Sequence, residues 1–295
     1  KTDWDIINID ALTYAGNKDN LKDVKDNDRY TFFKKDIVSS FDIIEDLTGV
    51  DYVVHFAAES HVDRSIRDPA PFISTNVLGT QILLETSRRI GVKKFVHIST
   101  DEVYGAIENE VDKFHEGTSM APNSPYSASK ASGDLIVSAY NKTYGFPALI
   151  IRPSNNFGYF QFPEKLMPLA ITNLVEDLPI PIYGKGENIR EWLFVEDCCR
   201  GVYHILMNGS IGEAYNLGSG VEKRTIDIAR FILKEMGKDQ DKYLKYVKDR
   251  PGHDFRYSLD SSKVMSLGWR PEVPFEEGMR RTIQWYKNNP RWWKP

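Results

Sequence analysis

Residues 94–102 read Lys-Phe-Val-His-Ile-Ser-Thr-Asp-Glu, an apolar run that ends in hydroxyl and carboxyl side chains. The run predicts a strand with Thr100, Asp101 and Glu102 at its carboxyl end. Similar strands are predicted at 5–10, 31–37, 51–58 and 148–152, with helical patterns between them at 76–90 and 126–144. Strands that alternate with helices indicate a parallel, doubly wound α/β sheet of the Rossmann type, and ligands bind such sheets at the carboxyl ends of the strands.

Tyr126 and Lys130 lie four positions apart at the beginning of a predicted helix, and therefore on one helical face. An ammonium group beside a phenol favours the phenolate and lowers the pKa of the tyrosine. Such a phenol can take a proton from an alcohol near neutral pH, as a nicotinamide-dependent oxidation requires. The same spacing occurs at Tyr14/Lys18 and Tyr30/Lys34, so the position beside the strand end makes this pair the candidate.

Asp101 and Glu102 are adjacent, so on a strand their side chains would point to opposite faces. In a loop after the strand both could face one pocket, and an acid and a base could then run an elimination. The alternative is a pair of solvated carboxylates. Arg190 and Arg250 carry guanidinium forks suited to a diphosphate, although surface charge is the simpler interpretation of either one.

A nucleotide-binding glycine turn is missing from the sequence. No Gly-x-x-Gly-x-x-Gly triplet occurs, and both Gly184-x-Gly186 and Gly218-x-Gly220 lack a third glycine. If Asp10 is the acid that binds a ribose, the glycine turn would precede Lys1 by about 20 residues. We therefore expect the chain to be a fragment whose first strand and glycine loop lie upstream.

The second half of the sequence has shorter elements that are interrupted by prolines. It predicts a polar turn at 154–158, an extended segment at 179–183, and helices at 163–174, 196–207, 226–236 and 275–288. We expect a nucleotide-binding domain at 1–158, to which 192–210 returns, and a smaller α+β substrate domain at 159–295.

Composition narrows the class of protein. The 295 residues carry a formal net charge of -4 and no basic stretch, which disfavours nucleic acid as a partner. The apolar runs are of strand length, so no membrane span is predicted. The two cysteines, Cys198 and Cys199, are adjacent, which favours a reducing cytoplasm over a disulfide framework. The six histidines are scattered without the spacing of metal ligands, so no metal site is predicted.

Together these residues resemble the extended short-chain dehydrogenase/reductase family, and within it the enzymes that dehydrate nucleotide sugars. The resemblance covers essentially the whole chain and rests on residues 10–17, 57–65, 100–105, 126–130, 154–156, 163–166, 190–193 and 250–254. The Thr100-Asp101-Glu102 triplet is the discriminating motif, because epimerases and decarboxylases of the same fold are not expected to carry the acid pair.

The resemblance implies a reaction and a cofactor. NAD would oxidise dTDP-glucose transiently at C4, water would leave across C5 and C6, and hydride would return to C6. Tyr126 would be the base for the 4-hydroxyl, with Thr100 bonded to the same hydroxyl. Lys130 would lower the pKa of Tyr126 and bind the nicotinamide ribose. Glu102 would remove the C5 proton, and Asp101 would protonate the departing 6-hydroxyl.

The resemblance also implies binding residues and an assembly. The expected cofactor contacts are Asp10, Thr13, Asp36, Ile37, Ala57, Ala58, Thr75, Tyr126, Lys130 and Asn155. The expected substrate contacts are Ser60, Thr100, Asn156, Lys165, Leu166, Pro181, Tyr183, Arg190, Asn216, Arg250 and His253. A homodimer is expected through the helix at 76–90 and the Tyr126 helix. A nucleotide-sugar 4-epimerase or decarboxylase, and a non-catalytic nucleotide-sugar binder, remain alternatives.

Overall fold

The computed structural model describes residues 2–39, 43–109 and 111–294. The strands are β1 (Ile6–Asp10), β2 (Tyr30–Lys34), β3 (Tyr52–His55), β4 (Lys94–Ile98), β5 (Ala148–Pro153), β6 (Asn155–Phe157), β7 (Ile180–Tyr183), β8 (Ile189–Phe194), β9 (Ala214–Leu217), β10 (Glu222–Arg224) and β11 (Leu244–Val247). The helices are α1 (Ile43–Leu47), α2 (Val62–Arg67), α3 (Ala70–Phe72), α4 (Thr80–Ile90), α5 (Pro125–Tyr144), α6 (Leu166–Val175), α7 (Val195–Asn208), α8 (Thr225–Glu235), α9 (Gln240–Tyr243), α10 (Ser262–Ser266), α11 (Phe275–Asn288) and α12 (Pro290–Trp293). The structure also contains two 3₁₀ helices, Lys18–Leu21 and Asp101–Tyr104, and a π-helical segment, Ile73–Gly79.

The largest sheet consists of four parallel strands in the order β3-β4-β5-β9. Val54 lies beside Val96, and Val96 beside Leu149, so the strands are in register with their carboxyl ends at one edge. The four strands confirm the parallel Rossmann-type α/β fold predicted from the sequence. They also place the ends of β4 and β5, with their polar residues, next to each other.

β1 and β2 form a separate parallel pair, in which Ile6 lies beside Tyr30. Among the described residues no ladder joins this pair to the four-stranded sheet. Ile6 and Ile7 in β1 are 46% and 37% exposed, an unusual setting for isoleucine in a strand.

Helices cover both faces of the four-stranded sheet. Phe95 packs on one face in a core with residues of α1, α4 and α5, whereas its neighbour Val96 packs on the other face with residues of α7. Both side chains are fully buried. Burial of a phenylalanine or valine contributes roughly 1.5–3 kcal/mol. The continuous apolar character of the strand is therefore explained by its burial on both sides.

Helix α5 is defined at both ends by its sequence. Ser124 and Ser127 form a reciprocal capping box, and Pro125 occupies the first helical turn, where its missing amide hydrogen costs nothing. Gly145 ends the helix with φ 62°. The predicted helix at 126–144 is confirmed, and the capping box holds its first turn, which contains Tyr126.

The helix predicted at 76–90 is longer than expected, because α3 and the π-helical segment precede α4. Asn76 lies in the π-helical segment, and its amide group donates to Ser129 Oγ of α5 at 2.8 Å. π-Helical turns are frequent at functional sites. This one ties the helix to α5 one turn from Tyr126.

The chain after β5 also builds a smaller layer with two further sheets, β10-β8-β6 and β11-β7. We call it the second layer. The prediction of a polar turn at 154–158 is wrong, because residues 155–157 form β6, paired in parallel with β8. Phe157 drives this pairing, since it is 1% exposed and packs against Phe194 and Phe275. Residues 155–157 therefore border the core of the second layer and do not form a solvent-exposed turn.

Two later segments return to the larger sheet. Helix α7, predicted at 196–207, packs on the β4 and β5 face, and β9 pairs with β5. The return of β9 lies outside the predicted segment 192–210. The division of the chain into domains at 1–158 and 159–295 stays a prediction. No helix within the described part of the chain is long and apolar enough to span a membrane.

Candidate active site

The carboxyl end of β4 leads directly into the 3₁₀ helix Asp101–Tyr104, which carries the two predicted acids. Thr100 caps this helix, because its Oγ1 accepts a hydrogen bond from the Glu102 amide at 3.3 Å. Gly105 follows with φ 87°, and a Cβ there would lie 2.4 Å from the Ala121 carbonyl oxygen. The acids have therefore left the strand, as the loop interpretation predicts.

Asp101 is buried, with 2% of its surface exposed. Its Oδ1 accepts from Thr100 Oγ1 at 3.2 Å, whereas its Oδ2 is buried without a hydrogen-bond partner. Burial raises the pKa of Asp101 well above its ordinary value, and the negative charges of Glu102 and Glu191 raise it further. The carboxyl group is thereby suited to hold a proton and to act as an acid.

Glu102 is less enclosed and has cationic neighbours. Burial raises its pKa, and the charges of Lys165, Arg190 and Arg250 oppose that shift. Neighbouring carboxyls in unequal surroundings acquire unequal pKa values, which is the arrangement that separates an acid from a base. Glu102, which faces the cations, is the member of the pair suited to accept a proton.

Tyr126 and Lys130 both lie on the buried face of α5. Burial raises the pKa of Tyr126, the Glu102 charge raises it further, and a hydrogen bond with Thr100 opposes the shift. Lys130 is not among the groups that shift the Tyr126 pKa in this structure, so its lowering of that pKa stays a prediction. The Lys130 ammonium group donates to the Ile98 carbonyl at 2.7 Å instead, and burial lowers its own pKa to about 8.

A buried polar cluster behind this helix was not predicted. Asp134, one turn beyond Lys130, accepts from Arg152 Nε at 2.8 Å, and Arg152 Nη1 donates to the Tyr104 hydroxyl at 2.7 Å. Burial lowers the pKa of His55 to about 3 and that of His97 well below its usual value, so both imidazoles are neutral. One sequence signal existed, since Arg152 interrupts the apolar run of β5.

Basic side chains of the second layer lie near Glu102. We call the space between them and the acid-bearing turn the cleft. The Lys165 ammonium group donates to the Ser60 carbonyl at 2.6 Å, which joins the turn before α6 to the turn after β3. Arg250 Nη2 lies 3.0 Å from His253 Nε2, and its Nη1 lies 3.5 Å from Asp63 Oδ1. These two cations face Glu102. Anionic groups of a ligand would be attracted to this wall.

Arg190, whose fork was predicted to suit a diphosphate, is held by backbone carbonyls in the structure, and its contact with a diphosphate stays a prediction. Arg190 is 7% exposed, and its terminal nitrogens donate to the carbonyls of Ile189, Phe255 and Asp254. Its guanidinium also lies over the Tyr257 ring, 4.2 Å from the centroid. Arg190 thus supplies positive charge near Glu102 while it holds the 254–255 backbone in place.

Asn216 is another correction among the predicted substrate contacts. Its side chain is fully buried in β9, accepts from the Tyr104 hydroxyl at 2.8 Å, and donates to the carbonyls of Phe114 and Asp260. No surface of Asn216 is left for a ligand.

The remaining predicted substrate contacts lie around the mouth of the cleft. The Tyr183 hydroxyl donates to Asp63 Oδ2 at 3.2 Å, next to Arg250. Pro181 lies in β7, and Leu166 begins α6 against the core of the second layer. Asn156 in β6 keeps a buried Oδ1 without a hydrogen-bond partner. An amide oxygen in that state can accept a ligand hydrogen bond.

The predicted cofactor contacts follow the ends of β1, β2 and β3. Asp10 and Asp36 are exposed, and their Oδ1 atoms accept from the amides of Leu12 and Val38, at 2.6 Å and 2.9 Å. Thr13 lies in the first of these turns. Ile37 is buried, whereas Ala57, Ala58 and Thr75 are partly exposed. Asn155 carries a second buried, unpartnered amide oxygen.

A group that sequence reasoning missed crosses the mouth of the cleft. Tyr14, after β1, donates to Glu164 Oε1 at 2.9 Å, and Arg64 Nε donates to Glu164 Oε2 at 3.1 Å. Arg64 also stacks on the Tyr14 ring, 3.6 Å from its centroid. These three side chains connect the β1 turn to the second layer. Within the described ranges no cluster of three metal-ligating side chains was found.

Comparison with known proteins identifies the family first. The model of the family described as GDP-mannose 4,6 dehydratase matches residues 2–282, so the chain belongs to this family. The dehydratase resemblance drawn from the sequence is thereby confirmed.

The similar proteins are more particular. A dTDP-glucose 4,6-dehydratase of Streptomyces niveus is 46% identical, with 97% of this chain and 85% of the relative covered. The dTDP-glucose 4,6-dehydratase of Streptomyces venezuelae, in a crystal structure with NAD bound, is 46% identical and has a TM-score of 0.96. The alignment covers 99% of this chain and 90% of the Streptomyces venezuelae chain. The Bacillus anthracis enzyme in complex with NAD is 42% identical, with a TM-score of 0.92 and coverages of 99% and 91%.

Proposed function

We propose that the protein is an NAD-dependent hydro-lyase that converts dTDP-glucose into the 4-keto-6-deoxy sugar nucleotide. The observation that carries the proposal is the buried Asp101 and its partly exposed neighbour Glu102 on a capped turn beside Tyr126 and Lys130. A simple alcohol oxidation has no use for a buried carboxyl group held in its neutral form. The similar proteins carry the name of the same activity.

The residues present fit the nicotinamide half of the cofactor. Asn155 has an unpartnered buried oxygen for an amide, and Lys130 has a buried ammonium group for ribose hydroxyls. Asp10 and Asp36 stand at strand ends where a carboxylate binds the adenosine ribose or orders the turn around it. When bound, NAD accepts a hydride from the sugar and later returns it.

Oxidation at C4 requires a base for the 4-hydroxyl, and Tyr126 is placed for that role. Because burial favours the neutral phenol, deprotonation needs positive charge or hydrogen bonds on its oxygen. Thr100 supplies a hydrogen bond. The Lys130 ammonium group, on the same helical face but bonded here to the Ile98 carbonyl, is proposed to supply the charge. The proton leaves the sugar oxygen for Tyr126 as the carbonyl forms at C4.

Elimination then divides between the two carboxyl groups. The carbonyl at C4 acidifies the C5 hydrogen, and Glu102 takes that proton. Asp101, neutral because of its burial, gives its proton to the 6-hydroxyl, which departs as water. Glu102 returns its proton to C5 when C6 is reduced. The turnover leaves one additional proton on Tyr126 and one fewer on Asp101, and exchange with solvent restores both groups.

The cationic wall is proposed to hold the nucleotide. Lys165, Arg250 and His253 lie together at the side that faces Glu102, and Arg250 is the residue with a guanidinium able to turn toward phosphate oxygens. Ser60, Asn156, Leu166, Pro181 and Tyr183 are proposed to complete the substrate site.

We also propose a homodimer in a reducing cytoplasm. Ile73 and Leu78 on the α3–α4 helix, and Leu135 on α5, are 52%, 49% and 60% exposed. These two helices pack together, so a second copy would bury the apolar side chains in a four-helix contact. Cys198 and Cys199 are both free, which fits a reducing compartment.

The direct test is incubation of the protein with dTDP-glucose and NAD, followed by the alkali-induced absorbance of a 4-keto-6-deoxy sugar. Product is expected with dTDP-glucose. A matched incubation with UDP-glucose tests the choice of base. Tight binding of dTDP-glucose without any product would show a nucleotide-sugar binder, and inversion at C4 without loss of water would show an epimerase.

A further inference from the structure

A chain of buried side chains connects the two catalytic elements from behind. It runs from Asp134 through Arg152 and Tyr104 to Asn216, and each of these residues is at most 4% exposed. The hydrogen bonds are 2.8 Å from Arg152 Nε to Asp134 Oδ2, 2.7 Å from Arg152 Nη1 to the Tyr104 hydroxyl, and 2.8 Å from that hydroxyl to Asn216 Oδ1. We call these four residues the buried relay.

Two members of the relay, Asp134 and Tyr104, lie on elements that carry the chemistry. Asp134 follows Tyr126 and Lys130 on the same face of α5, at intervals of four residues. Tyr104 is the last residue of the 3₁₀ helix that begins with Asp101 and Glu102. The relay therefore fixes the acid-bearing turn relative to the helix that bears the base.

A 3₁₀ helix of four residues holds itself weakly, so the turn depends on contacts with its surroundings. Val103 is fully buried, and its carbonyl accepts from the Ala121 amide at 3.1 Å. Thr100 caps its first residue, and the ring of Tyr104 packs on Phe114 with centroids 5.0 Å apart. Asn216 anchors the same end through the Phe114 carbonyl at 2.9 Å. The hydroxyl of Tyr104 is the point at which the turn, β5 and β9 meet.

Tyr126 does not depend on this junction. Its helix turn is held by the Ser124–Ser127 capping box, and its ring packs edge-on against Phe72. Loss of the Tyr104 hydroxyl should therefore move the acids and leave the base in place. This asymmetry separates the relay from a network that only stabilises the fold.

We propose that Tyr104, held by Arg152 and Asp134, is a positioning residue for the elimination step, which sets where Asp101 and Glu102 stand relative to the sugar held by Tyr126. The proposal rests on the proposed dehydratase function for the meaning of the two steps. The geometric claim, that the Tyr104 hydroxyl holds the acid turn, is separate and can be tested without turnover.

The kinetic test uses Tyr104→Phe. Loss of water and deuterium uptake at C5 are expected to slow about 10- to 100-fold, since a misplacement of about 1 Å has a cost of that size. The KM for dTDP-glucose and the single-turnover oxidation at C4 should stay within about twofold of the wild type. Tyr215→Phe is the matched control, because Tyr215 in β9 is 2% exposed and its hydroxyl only accepts from the Ser210 amide.

The second test follows the titration of the Asp101 carboxyl by carbon-13 NMR in protein labelled at aspartate. The charged groups that face Asp101 are Glu102 on its own turn and Arg190 and Glu191 on β8, and none of them changes in the variant. Tyr104→Phe should shift the Asp101 titration toward that of ordinary aspartate as the turn opens to water. Tyr215→Phe should leave it unmoved.

The outcomes separate the two claims. An unshifted Asp101 titration in Tyr104→Phe, or an equal slowing of oxidation and elimination, would show that the Tyr104 hydroxyl does not position the two acids. A shifted titration in a protein that makes no 4-keto-6-deoxy product would retain the relay and overturn the dehydratase function. If Tyr104→Phe does not fold, Arg152→Lys, which keeps the charge beside Asp134 but shortens the reach to Tyr104, must show the same pattern.

Discussion

We call the part of the cleft around Asp101 the acid end and the part after β1 and β2 the ribose end. The two ends differ in how far contacts within the protein hold their side chains in place. At the acid end, Thr100, Asp101, Tyr126 and Lys130 are all buried and held by defined hydrogen bonds. At the ribose end, after β1 and β2, Asp10 and Asp36 are exposed and cap only their own turns. The acid end is organised before any ligand arrives, whereas the carboxylates at the ribose end remain open to solvent.

The difference follows from what each end must do. A general acid needs an altered pKa, and only burial or close charge produces that shift. A ribose contact needs no altered pKa, so an exposed carboxylate serves. Substitutions at the acid end should therefore change rates of chemical steps, and substitutions at the ribose end should change affinity.

Tyr126→Phe should have the largest effect, because it removes the base from the preorganised end. We expect the single-turnover oxidation at C4 to fall by about 10³-fold or more, measured as reduced nicotinamide formed after mixing with dTDP-glucose. Binding of dTDP measured by calorimetry should be unchanged. Undiminished formation of reduced nicotinamide would remove Tyr126 from its role.

Lys130→Met tests the cost of a buried charge at the same end. Burial holds the pKa of Lys130 at about 8, against an ordinary value of 10.5. Between those pH values the unfolded chain retains a proton that the folded protein has released, so stability rises with pH. Relative to the variant, the wild type should gain about 3 kcal/mol of unfolding free energy from pH 8 to 10.5.

Urea denaturation of both proteins at several pH values measures this gain, and the other titrating groups cancel in the difference. If the difference in unfolding free energy between the two proteins does not change with pH, the Lys130 ammonium group is solvated. The acid end would then not differ from the ribose end in its exclusion of water.

Asp101→Asn should separate the steps of the reaction. The amide keeps the shape of the carboxyl but cannot donate an acidic proton, so loss of water should slow by about 10²-fold. Exchange of the C5 hydrogen with deuterated solvent should continue, because it depends on Glu102. Mass spectrometry of recovered substrate follows the exchange, and equal loss of both processes would contradict the division of roles.

Asp10→Ala should have the smallest effect, as a change at the exposed end. We expect the Kd for NAD to rise about tenfold, the size of one lost hydrogen bond to a charged group, while kcat at saturating NAD stays within about twofold. Asp36→Ala gives a second variant at the same end. A fall in kcat that saturating NAD does not restore would break the contrast.

Local patterns predicted much of this molecule. The strands at 94–98 and 148–153 and the helix at 125–144 follow from apolar runs, helical spacing and caps that lie within each segment. The acid pair was found because Thr100, Asp101 and Glu102 follow a strand directly. These features depend on neighbours in sequence, which a sequence displays.

The features that were wrong or missed depend on distant partners. β6 exists because β8 lies beside it and Phe157 enters a core built by later residues. Asn216 is buried because Tyr104, more than a hundred residues earlier, meets it. The pKa of Tyr126 is set by enclosure, which the spacing to Lys130 does not reveal.

The Thr100 hydroxyl has a single hydrogen to give. In the structure its oxygen accepts from the Glu102 amide and its hydrogen points to Asp101 Oδ1. A sugar hydroxyl that takes this hydrogen must displace Asp101, and one that donates to Thr100 must share the oxygen with Glu102. The substrate and Asp101 therefore compete for one hydrogen atom of Thr100. Because the Thr100 hydrogen bond lowers the pKa of Asp101, its loss on substrate binding favours the protonated acid that the elimination requires.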